Sequence, residues 1–140
     1  MHAMERVARQ TRLVRPESIQ LPAGYRIEPV VTGLNYPTAV TWDADGNLLI
    51  AESTVPFGRV AETELRIVRH RREGTLETVS GGFETLINDI AFHEGRLYVS
   101  HLGTISVVED GDRRALLTDL PSWGLHENNA LAFGPDGRLY

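Results

Sequence analysis

Val40-Thr41-Trp42-Asp43-Ala44-Asp45-Gly46-Asn47-Leu48-Leu49-Ile50 reads as an apolar run, a Gly-containing turn and a second apolar run. The pattern returns twice. Ile90-Ala91-Phe92-His93-Glu94-Gly95-Arg96-Leu97-Tyr98-Val99 repeats it with one turn residue fewer, and Leu131-Ala132-Phe133-Gly134-Pro135-Asp136-Gly137-Arg138-Leu139-Tyr140 repeats it again. A Gly turn between two short apolar runs is a hairpin signal, because Gly adopts the positive φ that tight turns need. The aromatic anchors Trp42, Phe92 and Phe133 recur at about 40–50 residues, the spacing of propeller blades.

Each interval between copies holds two more strand-like runs. Glu64–His70 and Thr75–Val79 are separated by Arg72-Glu73-Gly74; Thr104–Glu109 and Arg113–Thr118 are separated by Asp110-Gly111-Asp112. Each repeat therefore supplies four antiparallel strands, A to D, which is the plan of a propeller blade. The expected fold is all-β: a β-propeller of four-stranded antiparallel blades, with about two and a half blades in these residues. Residues 38–80 form blade 1, 86–119 blade 2 and 128–140 the start of blade 3. Residues 25–31 alternate as a strand and precede the first A strand, the place of an outer strand that closes a ring. Residues 1–20 read as an N-terminal extension, flexible or forming a short helix that Pro16 stops. The competing architecture is a β-sandwich of short strands, which strand counting alone permits. The matching aromatic and Gly positions in three copies favour the propeller.

Bulk properties exclude several roles. Hydrophobic residues make up 41% and charged residues 24% of the 140, an ordinary globular balance. The net charge of −5, without a Lys/Arg cluster, argues against a nucleic-acid partner. The densest basic stretch, Arg66–Arg72, is interrupted by Ile67 and Val68 and reads as a solvated strand face. No cysteine is present, so neither a disulfide nor a thiolate site can form. No run is long enough to span a membrane. Residues 1–20 lack the apolar core of a signal peptide, so the chain as written reads as cytoplasmic, or as periplasmic or secreted if a signal lies upstream.

In a propeller the residues before strand A and after strand B meet around the channel mouth. Before A stand Asn35, Tyr36 and Thr38; then Asn88 and Asp89; then His126, Asn128 and Asn129. After B stand Glu52 and, at the equivalent position, His101. Counting back from the aromatic anchors makes Thr38, Asn88 and Asn129 equivalent, and likewise Asn35, Thr85 and His126. Carboxylate, imidazole and amide groups converging on a concave mouth suit a small-molecule site. Singly, the Asn and Asp residues also fit plain turn geometry. His126 is suited to act as a general base near neutral pH.

The segment His126-Glu127-Asn128-Asn129-Ala130-Leu131-Ala132-Phe133-Gly134-Pro135-Asp136-Gly137-Arg138-Leu139-Tyr140 resembles the signature of PQQ-dependent sugar dehydrogenases, the glucose/sorbosone dehydrogenase family. Leu21-Pro22-Ala23-Gly24-Tyr25-Arg26-Ile27 and Gly33-Leu34-Asn35-Tyr36-Pro37-Thr38-Ala39-Val40 are similar to the opening of these domains. The resemblance implies a six-bladed propeller that oxidises an aldose, polyol or aldehyde. It implies that His126 takes the proton from the substrate hydroxyl while hydride passes to pyrroloquinoline quinone polarised by Ca²⁺, with Asn129 facing the same pocket. It further implies that the calcium ligands and the basic clamp for the quinone lie in later blades; the metal ligands are unknown within these residues. Where glucose-type members carry Gln before the second A strand, this chain has Glu84, and a carboxylate beside an anionic quinone is unfavourable without an intervening cation. Two other functions stay open. One is a Ca²⁺-dependent lactonase, with Glu52, Asn88 and Asn129 as hard oxygen ligands and His101 or His126 handling the proton. The other is a propeller that only binds a ligand or protein.

Overall fold

Alternating apolar residues and Gly turns put the backbone into two antiparallel sheets. The computed structural model describes residues 13–53, 64–122 and 130–140. The first sheet comprises β1 (Pro37–Trp42), β2 (Leu48–Glu52), β3 (Arg66–His70) and β4 (Leu76–Ser80). The second comprises β5 (Ile87–His93), β6 (Arg96–His101), β7 (Thr104–Glu109) and β8 (Asp112–Leu117). Each is a four-stranded meander in chain order, so every pairing is local and antiparallel. The first hairpin shows why. Asp43 Oδ1 accepts from Asn47 N at 2.8 Å and from Asp45 N at 3.1 Å, and Gly46 takes φ 75 to close the turn.

The two sheets agree in register down to their irregularities. β1 pairs with β2 from Trp42↔Leu48 to Pro37↔Glu52, with a bulge at Thr38. β5 pairs with β6 from His93↔Arg96 to Ile87↔His101, with a bulge at Asn88. A second bulge falls between Ile67 and Val68 in the first sheet and between Ile105 and Ser106 in the second. Bulges are specific devices that re-aim a strand end, so their recurrence at matched places marks one repeated unit. Phe133↔Leu139 forms the start of the same hairpin a third time.

The core lies between the sheets. Leu49, Ala51 and Ile67 of the first sheet pack with Ile87, Ile90, Leu97, Val99 and Val108 of the second, and Phe83 closes the cluster. Burial of this apolar surface supplies the main drive for docking the sheets. β8 is exposed throughout, as the outermost strand of its sheet. No α-helix occurs among the described residues, and none of their helical segments is long and apolar enough to cross a membrane.

One detail differs from expectation. Residues 25–31 form no strand: they are exposed irregular backbone, with Tyr25 74% and Val30 72% exposed. A strand needs a ladder partner, and none of the described strands offers one here; Pro29 also removes a donor. Pro16 opens a three-residue 3-10 turn at Pro16–Ser18, and residues 1–12 of the extension lie outside the described residues. The fixed φ of proline suits the first helical position, where the missing N–H is no loss.

Candidate functional site

The candidate mouth is the end where β1 and β5 begin and β2 and β6 finish. Two hydrogen bonds through Ile87 join the sheets there. Thr38 Oγ1 donates to Ile87 O at 2.9 Å, and Ile87 N donates to Ser53 Oγ at 2.9 Å. Because Ile87 faces His101 in the ladder and Ser53 follows Glu52, these bonds bring the Glu52 and His101 ends of the two sheets together. Ser53 N also donates to Tyr36 O at 3.0 Å, and Leu102 N donates to Leu86 O at the matching place in the second sheet.

Tyr36 stands at φ 44, in the left-handed region that a bulky side chain seldom adopts. Its carbonyl is held by Ser53 N, so the turn into β1 is fixed by the end of β2. Strain of this kind concentrates at ligand-facing turns.

Glu52 is buried, and both its oxygens are engaged. Asn35 N donates to Oε1 at 2.5 Å, and Arg66 Nε donates to Oε2 at 2.8 Å. Arg66 extends to Thr78 Oγ1 at 3.4 Å and lies 3.7 Å from Glu64. A carboxylate with this much compensation anchors strands β2 and β3 rather than waiting for a ligand. The partner was open to sequence reasoning in one respect: Glu52 ends β2 and Arg66 begins β3, so a tight antiparallel pair sets them opposite.

His101 occupies the equivalent seat with different company. Its Nε2 lies 2.8 Å from Ser106 Oγ and its Nδ1 lies 3.3 Å from Thr85 Oγ1. The ring meets Phe83 edge-on at 5.5 Å. Arg113 stacks over the other partner, 3.9 Å from the Phe83 centroid, and donates to Gly81 O and Gly82 O at 2.9 and 3.0 Å. Burial first, and the Arg113 charge second, hold the His101 pKa below its ordinary value. The imidazole is therefore neutral near pH 7, able to accept a proton or a hydrogen bond. Ser106 and Arg113 were not foreseen as its neighbours, since they come from other strands, whereas Thr85 holds the Asn35-equivalent place before strand A that the strand-end rule sets beside it.

Asp89 leans toward the third repeat. Its Oδ2 accepts from Leu131 N at 2.7 Å. Asn88 is half-buried at the bulge of β5, the place Thr38 holds in β1, as the aromatic spacing expects. His126 and Asn129 lie outside the described residues, so the site is seen from the side of Tyr36, Glu52, Asn88, Asp89 and His101.

Among the described residues no three His, Cys, Asp or Glu side chains gather as a metal site would need. The Glu52 carboxylate is committed to Asn35 and Arg66, and the guanidinium groups of Arg66 and Arg113 are committed to Glu52 and to the Gly81–Gly82 carbonyls. The described residues therefore do not make up a site for Ca²⁺ or for the carboxylates of a quinone. No family model matches the chain, and neither a curated protein nor a solved structure matches it.

Proposed function

We propose that the two sheets and the third hairpin are the opening blades of a β-propeller oxidoreductase acting on an aldose, polyol or aldehyde, of the quinoprotein kind that residues 126–140 resemble. The bond from Leu131 N to Asp89 Oδ2 carries the reading. It ties the backbone two residues after Asn129, and five after His126, to the strand start that faces the mouth. A general base there would act beside Tyr36, Asn88 and His101. His126 removes the proton of the substrate hydroxyl in this reading, and His101 and Asn88 orient the substrate through neutral hydrogen bonds. The hydride that balances this oxidation would be taken up by a bound quinone, whose clamp and calcium ligands the described residues do not make up. The hydrolase alternative would draw on Glu52 as one of its calcium ligands, and the Arg66 and Asn35 bonds already engage that carboxylate.

The test is dye-linked oxidation of a panel of aldoses, polyols and aldehydes by the natural full-length polypeptide, with PQQ and Ca²⁺ supplied, alongside its His126→Ala variant. The expected result is oxidation that falls at least about a hundredfold in the variant, as loss of a general base causes. A folded protein that oxidises none of the panel, or a variant that keeps full activity, contradicts the reading.

A further inference from the structure

The two sheets part at the end away from the mouth. A cleft of about 450 Å³ runs there between the β1–β2 turn, the near ends of β3 and β4, and the two turns of the second sheet at Gly95 and Gly111. That volume is within the range of small-molecule sites. Its floor is apolar: Leu49 of the first sheet and Leu97 and Val108 of the second are the margin of the core, and Phe92 adds a partly buried ring.

The rim is charged, and its charges do not balance. Arg69 is the only cation lining the cleft among the described residues, and its Nε lies 2.9 Å from Asp43 Oδ2. Glu77 is held by Arg71, with Nη2 2.6 Å from Oε2. Asp45 on the lip of the first sheet and Asp110 on that of the second make no ion pair among the described residues. Arg72 Nη2 reaches the Gly46 turn without pairing with either.

We propose that this cleft binds a monoamine, an alkyl- or arylalkylammonium ion, with its charge between Asp45 and Asp110 and its body on the Phe92 and Leu97 floor. The carboxylates attract the cation, and apolar contact with the floor and ring supplies affinity that a bare inorganic cation lacks. An anion of the same shape meets repulsion at the rim. The cleft lies at the other end of the sheets from Glu52 and His101, so the proposal is independent of the oxidoreductase reading.

Isothermal titration calorimetry of the natural full-length polypeptide with tryptamine, tryptophol and indole-3-propionate tests it, since the three share an indole and differ in charge. The expected result is saturable one-to-one binding of tryptamine, at least about tenfold tighter than tryptophol, and no binding of indole-3-propionate. Replacing Asp45→Asn and Asp110→Asn together should weaken tryptamine at least about tenfold and leave tryptophol unchanged. Both are exposed turn residues, so far-UV circular dichroism should match the wild type. Glu17→Gln, which removes an exposed carboxylate elsewhere, should bind tryptamine as the wild type does. No saturable binding of tryptamine, equal affinity for all three compounds, or a double variant that binds as tightly as wild type overturns the proposal. So does an equal loss in Glu17→Gln, which would show attraction to the net charge of the protein rather than to the cleft.

Discussion

The first and second sheets share a register, two bulges and a strand order, yet they fill the same seat with opposite chemistry. At the end of β2 stands Glu52, paired with Arg66; at the end of β6 stands His101, held neutral by burial among Thr85, Ser106 and Phe83. The apolar alternation and the turns set the backbone, and neither depends on what occupies the strand end. The polar seat is therefore free to vary between repeats. In the first sheet it serves as a clamp between strands, and in the second it is a group fit to handle a proton or a hydrogen bond.

The comparison breaks most severely if the clamp is cut. Glu52→Ala leaves the Arg66 guanidinium, whose side chain is only 16% exposed, without its carboxylate. A loss of about 3–5 kcal/mol in urea-induced unfolding is expected. The double replacement Glu52→Leu with Arg66→Met should recover most of that loss, because it removes both charges together. If the single variant unfolds like wild type, the first seat is not a clamp.

Asp89→Ala has a smaller and local effect. It strips Leu131 N of its acceptor, at about 1–3 kcal/mol for an unpaired part-buried donor. Amide exchange should quicken at Ala132 and Tyr140, which bond each other across the third hairpin, while β5 and β6 keep their protection. Uniform quickening across the second sheet would mean that Asp89 supports its own sheet instead.

The neutral seat sets a pH dependence. Because the folded pKa of His101 lies below the unfolded one, the unfolded chain binds the proton first as pH falls. This contribution is complete above the ordinary histidine pKa of about 6.5 and declines as pH drops from there through the folded value. His101→Gln should flatten that part of the stability profile relative to wild type. Equal slopes in the two proteins would show that the ring titrates as in solvent.

The smallest expected effect belongs to Arg113→Ala, at about 0.5–1 kcal/mol for an exposed cation over the Phe83 ring. The same variant should raise the His101 pKa toward its ordinary value, readable by NMR titration of the ring protons, since the Arg113 charge is one of the two causes of the depression.

Strand positions were legible because Gly turns and apolar runs act within a few residues. β1 to β8 fall where Gly46, Gly74, Gly95 and Gly111 separate the runs, and Glu52 and His101 are register equivalents as the spacing of Trp42 and Phe92 implies. What the sequence could not show is what depends on contacts distant along the chain. The alternation at 25–31 looks like a strand, but alternation supplies a face and not a ladder. The Glu52 carboxylate looks like a ligand until Asn35 and Arg66, 17 and 14 residues away, are seen on it. Likewise, Asp89 fits a turn residue locally, whereas its partner Leu131 lies 42 residues on.

The claim beneath this account is that the two sheets are one unit with interchangeable seats, and a transplant tests it most directly. His101 faces Thr104 in the ladder just as Glu52 faces Arg66. A double-mutant cycle on His101→Glu and Thr104→Arg should therefore rebuild the clamp in the second sheet. The account predicts that the double variant is more stable than the two single losses combined, by a coupling of about 1–3 kcal/mol in urea unfolding. Additive losses with no coupling would show that the seats differ in backbone geometry, and would contradict the repeat.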